Sequence, residues 1–478
     1  MFNRKKTFPI FTTIIVVVLG ILLTLVMAVY GLYKVLENDI NGVVVKNDGK
    51  AEAASIIEMG KVLAGFEGER TYLVLLQNNH ELRPTGGFIG QYAVVTVENG
   101  RLKEFISGDV GVLDTAAPTG VQVPRAPAAL KTYLNQNFMF FRDANWNPDF
   151  KQAAAQIAQI YAIEKGERAD RLDGVIAIDT SVLEEIVGQF GPVRVGDMTF
   201  TKDNAIDTLE YEIEVGYIER GIKKEHRKLI IQEMGEKLMA NAIKTSPLKF
   251  PGLIRAGQKL AREKHIVMFD YDAGLQTWYE ANGWAGTSDV TDTHFVQVVD
   301  ANLNAFKTDR VVTRSFEHVM NQKGDTLTSA LSMTYTNNGT KPDYRTKEYR
   351  SYTRLHLPKD ATITGVEGVT HTQYGDPGYD DYIVQNKRIV GFFHKVNLGS
   401  SGTVSVTYET PIGADGLHLL YIKQPGTNES ELTVDVSFDK QVSHNDGVDK
   451  ISCKGAQTHC RFEGDLSVDR QFQLNFNE

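Results

Sequence analysis

The sequence predicts an α/β layered domain followed by an antiparallel β-sandwich, both placed after one N-terminal transmembrane helix. Three patterns support this architecture. An uncharged, mostly apolar stretch runs from Thr7 to Tyr33. Helical and strand patterns then alternate as far as about residue 295, whereas apolar–polar alternation dominates beyond about residue 305. The length of 478 residues and the hydrophobic content of 42% also fit several folded domains rather than a disordered chain.

The apolar stretch near the N-terminus predicts a membrane anchor. As a helix it is about 40 Å long, which exceeds the membrane's hydrocarbon core of about 30 Å. Arg4, Lys5 and Lys6 precede the stretch, and this basic cluster places the N-terminus in the cytoplasm and the rest of the chain outside. We therefore expect a single-pass protein of the cell membrane, with a cytoplasmic tail at 1–8, a transmembrane helix at 9–33 and a helical stalk at 34–69.

A cleaved signal peptide is the alternative to a retained anchor. Its apolar region is about 7 to 15 residues long and ends in small residues at a cleavable site. The stretch here is longer, and its small residues near the end are Ala28 and Gly31, with Val29 and Tyr30 in poor positions for cleavage. These features favour the uncleaved anchor.

Charge and motif content narrow the possible partners and activities. Lys and Arg total 51 against 60 Asp and Glu, which gives a formal net charge of −9. A negative protein has little attraction for a nucleic-acid backbone, so we expect no nucleic-acid partner. The sequence has no Gly-x-Ser-x-Gly, P-loop or His-Glu-x-x-His motif, and isolated histidines such as His80 and His265 are interpreted as satisfied surface or core residues.

Residues 70–295 carry the patterns of the α/β domain. Asn147 is the expected N-cap of a helix with Pro148 in its first turn and Gly166 at its C′ position, and Ser181 with Glu184 resembles a capping box. This order of elements implies helices that cover a partly parallel sheet. Strands are predicted at 72–76, 88–97, 174–178 and 265–269, and further helices across 203–242 and at 274–282.

Residues 296–478 are predicted to form the β-sandwich. Leu331, Met333 and Tyr335 alternate with polar residues, and several runs of this kind are separated by turn-rich segments. The two cysteines, Cys453 and Cys460, lie close to the C-terminus. They either close a disulfide bond or remain two separate thiols, because their spacing alone does not fix the geometry that a disulfide needs.

The loop between the first two strands is a candidate anion site. Arg83 offers a planar guanidinium suited to phosphate or carboxylate, and the paired glycines of Thr85-Gly86-Gly87 let backbone N–H groups approach a ligand closely. The same Pro-Thr-Gly-Gly sequence is also typical of an ordinary loop.

A polar cluster ahead of the helix near residue 150 is the second candidate. Arg142, Asp143 and Trp146 combine an ion pair with an aromatic ring, which suits a sugar or a pyrophosphate. An internal ion pair that fixes the loop explains the same residues equally well.

Two further groups of polar residues are weaker candidates. Arg220, Lys224 and Arg227 share one helical face, which either attracts phosphate or is a solvated charged surface. Asn302 and Lys307 lie in a segment that follows a strand and is either a turn or a ligand loop.

Six motifs in order resemble the bacterial domain of unknown function 4012 family. The resemblance covers most of residues 70–430, and this family's biochemistry is unsettled. The motifs are LQNNHELRPTGGFIG at 76–90, RDANWNPD at 142–149, DGVIAID at 173–179, GPV at 191–193, VDANL with KTD at 299–309, and KQPGT at 423–427.

A more distant likeness is to the LytR-CpsA-Psr proteins, which transfer glycopolymers from polyprenyl pyrophosphate carriers to peptidoglycan. The resemblance implies a similar fold, with Arg83 and Arg227 matching arginines that contact pyrophosphate and Asp109 retained after the second strand. Asn79 and Thr85, however, stand where that family has magnesium-binding aspartates, and neutral groups hold a hard dication less well.

Together these observations predict a membrane-anchored cell-envelope protein that binds an anionic glycopolymer or a lipid-linked sugar through its α/β domain, without a cofactor. The expected partners are membrane lipid and a cell-wall glycopolymer or polyprenyl-linked sugar. Two alternatives stay open. One is a glycopolymer phosphotransferase, the single case in which Mg²⁺ is expected, and the other is a non-catalytic structural or adhesive surface protein.

Overall fold

The computed structural model describes residues 58–117, 123–227, 229–244, 250–288, 294–370, 378–445, 449–454 and 457–477. The predicted tail, the predicted transmembrane helix and most of the predicted stalk lie outside these residues. A helical turn at 58–63 leads into the first strand. Within the described ranges, no helix has the length and apolarity that crossing a membrane requires.

A mixed five-stranded sheet forms the centre of the first domain. The order in the sheet is β3-β2-β1-β4-β7; β1 and β4 are parallel and every other neighbouring pair is antiparallel. The predicted partly parallel sheet is therefore present. In chain order the strands are β1 (Arg70–Asn78), β2 (Phe88–Glu98), β3 (Arg101–Asp109), β4 (Gly174–Ile178), the hairpin of β5 (Val193–Val195) and β6 (Met198–Phe200), and β7 (Ile266–Asp270).

Helices cover both faces of this sheet. Three of them, α1 (Val110–Ala116), α2 (Ala128–Leu134) and α3 (Phe150–Ile163), pack on one face, and the remaining helices pack on the other. The helix that begins at Ala205 continues through a π-helical turn at Glu212–Gly216 to Tyr217–Glu219. The second group comprises α4 (Thr180–Phe190), α5 (Ala205–Tyr211), α6 (Leu229–Ile243), α7 (Phe250–Arg262) and α8 (Ala273–Ala281).

Strand alternation explains why the domain has two cores. Tyr72 and Val74 of β1 face the core that contains α4 to α8, whereas Leu73 and Leu75 face the core that contains α3. Successive side chains of a strand point to opposite faces, so an apolar run such as β1 requires a cover on both sides. This requirement accounts for the α/β/α layers.

Two seven-stranded sheets share one hydrophobic core and form the β domain. One has the order β12-β15-β10-β9-β17-β20-β19 and the other β13-β14-β11-β8-β16-β21-β18. The strands are β8 (His294–Asn302), β9 (Val312–Lys323), β10 (Thr326–Asn337), β11 (Tyr349–Pro358), β12 (Thr362–Glu367), β13 (Tyr379–Val384), β14 (Lys387–Val396), β15 (Ser400–Pro411), β16 (Gly416–Tyr421), β17 (Glu431–Ser437), β18 (Val442–Asn445), β19 (Ser452–Lys454), β20 (His459–Asp465) and β21 (Arg470–Phe476).

The β domain differs from the prediction in strand direction. The sequence predicts an antiparallel sandwich, but β8 pairs in parallel with β16 and β9 pairs in parallel with β17. Each pair joins segments far apart in the chain, so no local hairpin signal reveals its direction. A disulfide between Cys453 and Cys460 links β19 to β20, with the two Cα atoms 4.0 Å apart.

The helix ends also differ from the sequence predictions. Asp149 rather than Asn147 caps α3, accepting from the Gln152 N–H, and Asp179 rather than Ser181 caps α4. At the end of α3, Lys165 instead of Gly166 has the positive φ. Asp149 also accepts from the Ser288 N–H at 2.9 Å, a contact that a local capping pattern does not contain.

The loop that follows β1 is hydrogen-bonded to the β domain through its backbone. Asn302 N donates to Leu82 O at 3.0 Å, and Asp309 N donates to His80 O at 3.1 Å. The Asp309 carboxylate returns the contact by accepting from the Leu82 N–H at 3.1 Å. The two domains are therefore joined at the end of β1.

The KQPGT motif supplies a second set of junction contacts. Gln424 Nε2 donates to Arg83 O at 3.1 Å and to Asp300 O at 2.8 Å, while its Oε1 accepts from the Asp300 N–H. Gly426 and Gly86 also touch, since a Cβ built on Gly426 would lie 2.0 Å from Gly86 O. A side chain at Gly426 is thus incompatible with this junction.

Candidate functional site

A cavity of about 520 Å³ opens at the end of β1 and β4, where the α/β domain meets the β domain. This edge of the sheet is a common place for ligand sites, because the loops that leave parallel strands converge there. Its wall combines amides, carboxylates and aromatic rings. The lining residues are Leu76, Gln77, Asn78, Glu81, Phe88, Gly90, Gln91, Thr180, Ile206, Leu209, Glu210, Ile213, Glu214, Ala305, Phe306, Lys307 and Tyr344.

Glu210, which lines this junction cavity, has polar contacts to several side chains. Its Oε1 accepts from Asn78 Nδ2 at 3.1 Å, and its Oε2 accepts from Arg345 Nη1 at 3.3 Å. His80 Nδ1 lies 3.5 Å from Oε2. Burial raises the pKa of Glu210, but the close approach of His80, followed by the charge of Lys307, outweighs burial and lowers the pKa to about 2.

Lys307 and Arg227, both predicted as ligand residues, lie beside acids of this cavity. Lys307 Nζ is 3.5 Å from Glu210 Oε1 and 3.7 Å from Glu214 Oε1. Arg227 Nη1 is 3.8 Å from Glu214 Oε2, and its guanidinium stacks over the Tyr217 ring. Glu81, Glu210 and Glu214 are paired with Arg83, Arg345 and Arg227. The cations at this cavity therefore already have carboxylate partners, which does not favour an anionic ligand there.

Arg83 is buried, with 2% of its surface exposed. Its Nη1 donates to Asn302 O at 2.6 Å, its Nη2 donates to Glu81 Oε1 at 3.1 Å, and its Nε lies 3.6 Å from Asp143 Oδ1. Burial raises the pKa of Asp143, and the charge of Arg83 opposes that rise. This placement favours the ordinary-loop interpretation, because the guanidinium faces protein groups of both domains rather than a cavity.

The other residues of the predicted anion loop also contact protein groups. Thr85 Oγ1 accepts from Gln77 Nε2 at 3.0 Å, and Thr85 is 1% exposed. Gly86 has a φ of +133°, and a Cβ there would lie 2.3 Å from Gln77 Oε1. A Cβ on Gly87 would lie 2.4 Å from Asn78 O, so both glycines serve the close approach of chain segments.

The cluster around Trp146 divides between two places. Asp143 lies beside Arg83, whereas Arg142 Nε donates to Asp114 Oδ2 on the far side of the turn. The guanidinium carbon of Arg354 lies over the Trp146 ring, 4.6 Å from its centroid. The cluster is therefore split between the domain junction and helix α1, and it does not form one site.

Asp109 and Asn302 have structural partners as well. Asp109 caps α1 by accepting from the Val112 N–H at 3.3 Å. Asn302 is fully buried, and its Nδ2 donates to Asp309 Oδ2 at 2.7 Å. Among the residues that the structure describes, no group of three or more His, Cys, Asp or Glu is placed to hold a metal ion.

Sequence reasoning missed Glu210, Glu214, Phe306 and Tyr344, which line the junction cavity. The two glutamates are four residues apart, a spacing that is also typical of a solvated helix face. Tyr344 lies in a loop between strands and shows no motif. Phe306 falls within the segment 299–309 that the sequence marks as a turn or ligand loop, so this segment was the one available signal.

Residues 67–213 match the family model described as protein of unknown function (DUF4012). This match supports the DUF4012 resemblance over β1 to α5, including the loop that contains Arg83. The LytR-CpsA-Psr likeness stays a prediction. A search of curated proteins finds no match.

Solved structures offer only weak likenesses. A putative nutrient binding protein from Legionella pneumophila subsp. pneumophila str. Philadelphia 1 aligns with 38% of this chain and 71% of its own at 9% identity and a TM-score of 0.25. Leukotriene A4 hydrolase from Saccharomyces cerevisiae aligns over 35% of this chain and 29% of its own, at 9% identity and a TM-score of 0.21. A mutant M1 zinc metallopeptidase from Deinococcus radiodurans aligns over 35% and 42%, at 10% identity and a TM-score of 0.21. Such values carry no argument about fold or function.

Replacing Arg83 by Met should destabilise the protein by about 3–5 kcal/mol, because the buried carboxylate of Asp143 and the half-buried carboxylate of Glu81 lose their positive partner. Chemical denaturation of the full chain measures this change. Arg171→Met, at an exposed position, is the matched control and should change the free energy of unfolding by less than about 0.5 kcal/mol. An unchanged stability for Arg83→Met would contradict the structural role.

Glu210 should contribute stability that depends on pH. Its folded pKa of about 2 lies below the ordinary 4.5, so the contribution is present above about pH 4.5 and is lost as the pH falls towards 2. Glu210→Gln should therefore cost about 2–3 kcal/mol at pH 7, and the difference should shrink between pH 4.5 and 2. Unfolding curves of both proteins between pH 7 and pH 2 measure this difference in the free energy of unfolding. A difference that does not change with pH would contradict the role given to Glu210.

Proposed function

We propose that the protein is a membrane-anchored cell-envelope protein that binds a saccharide in the junction cavity without catalysing a reaction. The supporting observation is the Tyr344 hydroxyl, which is buried yet has no hydrogen-bond partner among the described residues. A buried hydroxyl without a partner costs free energy, and a ligand hydroxyl can satisfy it. The saccharide belongs either to a cell-wall glycopolymer or to a lipid-linked sugar.

The chemistry of the lining fits a sugar. Gln91 and Glu214 offer amide and carboxylate groups that hydrogen-bond to hydroxyls, and Phe306 supplies an aromatic face. Because the cations beside this cavity are already paired with Glu81, Glu210 and Glu214, a neutral sugar fits better than an acidic one. This is a revision of the expected anionic ligand, made because Arg83 does not face the cavity.

The phosphotransferase alternative receives less support from this geometry. It relied on Arg83, Asp109, Arg142, Asp143 and Arg227 to line one site. Arg83 and Asp143 lie side by side, but Asp109, Arg142 and Arg227 contact other protein groups and do not join them in one site. The structural alternative is supported by those same contacts, but it leaves the Tyr344 hydroxyl and the open junction cavity without a role.

Saccharide binding should depend on Tyr344. The full chain in lipid nanodiscs, titrated calorimetrically with N-acetylglucosamine oligomers, should show saturable binding, and Tyr344→Phe should weaken it about fivefold to tenfold through one lost hydrogen bond. Tyr271→Phe, which removes an exposed hydroxyl from a distant loop, is the matched control. Acidic oligosaccharides should bind more weakly. Equal affinities of Tyr344→Phe and the unmodified protein would refute the site.

The proposed topology can be tested independently of any ligand. In intact bacterial protoplasts, the full chain should sediment with membranes after alkaline carbonate washing, and added protease should digest the residues after 33. Deletion of 9–33 should release the product from the membrane pellet. Recovery of the undeleted chain in the soluble cytosolic fraction would rule out the anchor.

A further inference from the structure

A second cavity, of about 310 Å³, lies where the end of α7 and the start of β7 meet the loop that follows β16. Its wall includes His265, Lys423, Lys259, Glu263 and Glu429. It shares no lining residue with the junction cavity. Neither His265 nor Lys423 has a role in the function proposed above.

His265 is held in one orientation. Its Nδ1 lies 2.7 Å from Asp179 Oδ2, and the other carboxylate oxygen of Asp179 accepts from the Ser181 N–H at 2.9 Å. The backbone adds a bond from Asp179 N to His265 O at 3.2 Å. With Nδ1 engaged by a carboxylate, Nε2 is the ring nitrogen left for another partner, and it has none within the described part of the chain.

Lys423 is a buried amine, with 1% of its surface exposed. Its Nζ donates to Thr427 O at 2.8 Å and to Gln424 O at 3.2 Å. An ammonium group has three N–H donors, so one donor of Lys423 is left without an acceptor among the described residues. No carboxylate in the described ranges forms an ion pair with this ammonium group. Burial, reinforced by the charge of Lys264, lowers the pKa of Lys423 to about 7.

We propose that this second cavity binds a phosphoryl group between Nε2 of His265 and Nζ of Lys423. Asp179, Asp469 and Glu263 act on the buried ammonium through their charge, but none forms an ion pair with it among the described residues. An anion in the cavity supplies a directly bonded countercharge through charge-assisted hydrogen bonds. A phosphoryl group accepts from Nζ of Lys423. It bonds to Nε2 of His265 through its own hydroxyl, or as an acceptor when the ring carries both protons, and it still presents oxygens to the mouth of the cavity.

The other charges of the wall limit the size and position of this ligand. Lys259 adds a positive charge at the rim, where its Nζ lies 3.7 Å from Glu263 Oε1. Glu429 also lines the cavity. The two carboxylates repel an anion at the rim, so the phosphoryl group belongs on the inner side, against His265 and Lys423. This site does not depend on saccharide binding in the junction cavity.

Calorimetric titration of the full chain in nanodiscs tests the proposal with three probes, inorganic pyrophosphate, farnesyl pyrophosphate and acetate. Both pyrophosphates should saturate a single site, and acetate should bind far more weakly. Lys423→Met should weaken pyrophosphate binding about tenfold, the expected loss for one charge-assisted hydrogen bond. Lys323→Met, at an exposed strand end, is the matched control and should leave the affinity unchanged.

Farnesyl pyrophosphate binding more tightly than pyrophosphate identifies a lipid-linked source of the phosphoryl group, and equal affinities identify a soluble one. The proposal is overturned if neither pyrophosphate saturates, if acetate binds equally well, or if Lys423→Met retains full affinity. Should Lys423→Met fail to fold, His265→Gln decides the question: a loss of about tenfold supports the site, and unchanged affinity overturns it.

Discussion

The guanidinium of Arg83 is the group on which the arrangement of the two domains depends. It is buried where the loop after β1 enters the β domain, and it donates to the Asn302 carbonyl at 2.6 Å while Glu81 and Asp143 supply negative charge. A buried cation needs such partners, because water no longer solvates it. Gln424 donates to the carbonyls of Arg83 and Asp300 and accepts from the Asp300 N–H. The motifs at 76–90, 299–309 and 423–427, which are separate in the chain, therefore meet at one junction. The junction in turn fixes both walls of the neighbouring cavity.

Two chemically different cavities are lined by residues of both domains. The one at the end of β1 and β4 has carboxylates that are already paired with cations, and its Tyr344 hydroxyl has no hydrogen-bond partner in the described part of the chain. The other contains the buried amine of Lys423 and a histidine held by Asp179. Charge therefore separates the two proposed ligands, since a sugar hydroxyl suits the first wall and a phosphoryl group suits the second.

The strands of the α/β domain were predictable where local sequence carries the signal. The apolar runs of β1, β2, β4 and β7 are buried because helices cover both faces of the sheet, and their positions agree with the predicted strands to within a few residues. Helix starts were less predictable. Asp149 caps α3 partly because it also holds the Ser288 N–H, and such a long-range contact leaves no local pattern. The loop at 83–87 was predicted as a candidate anion site, but Arg83 contacts Asn302 of the β domain, a partner that no local pattern shows.

Sequence alone determined the kind of layers, helices on a partly parallel sheet followed by a β-rich domain, because the period of apolar residues decides which faces need burial, and burial is the dominant favourable term in folding. It also marked 83–87, 299–309 and 423–427 as unusual segments. Only the tertiary structure decided that these segments bind one another, which strands of the β domain run parallel, and which polar groups line a cavity. The physical reason is that hydrogen bonds and ion pairs form between groups brought together by the whole fold, whereas residue patterns record only neighbours along the chain.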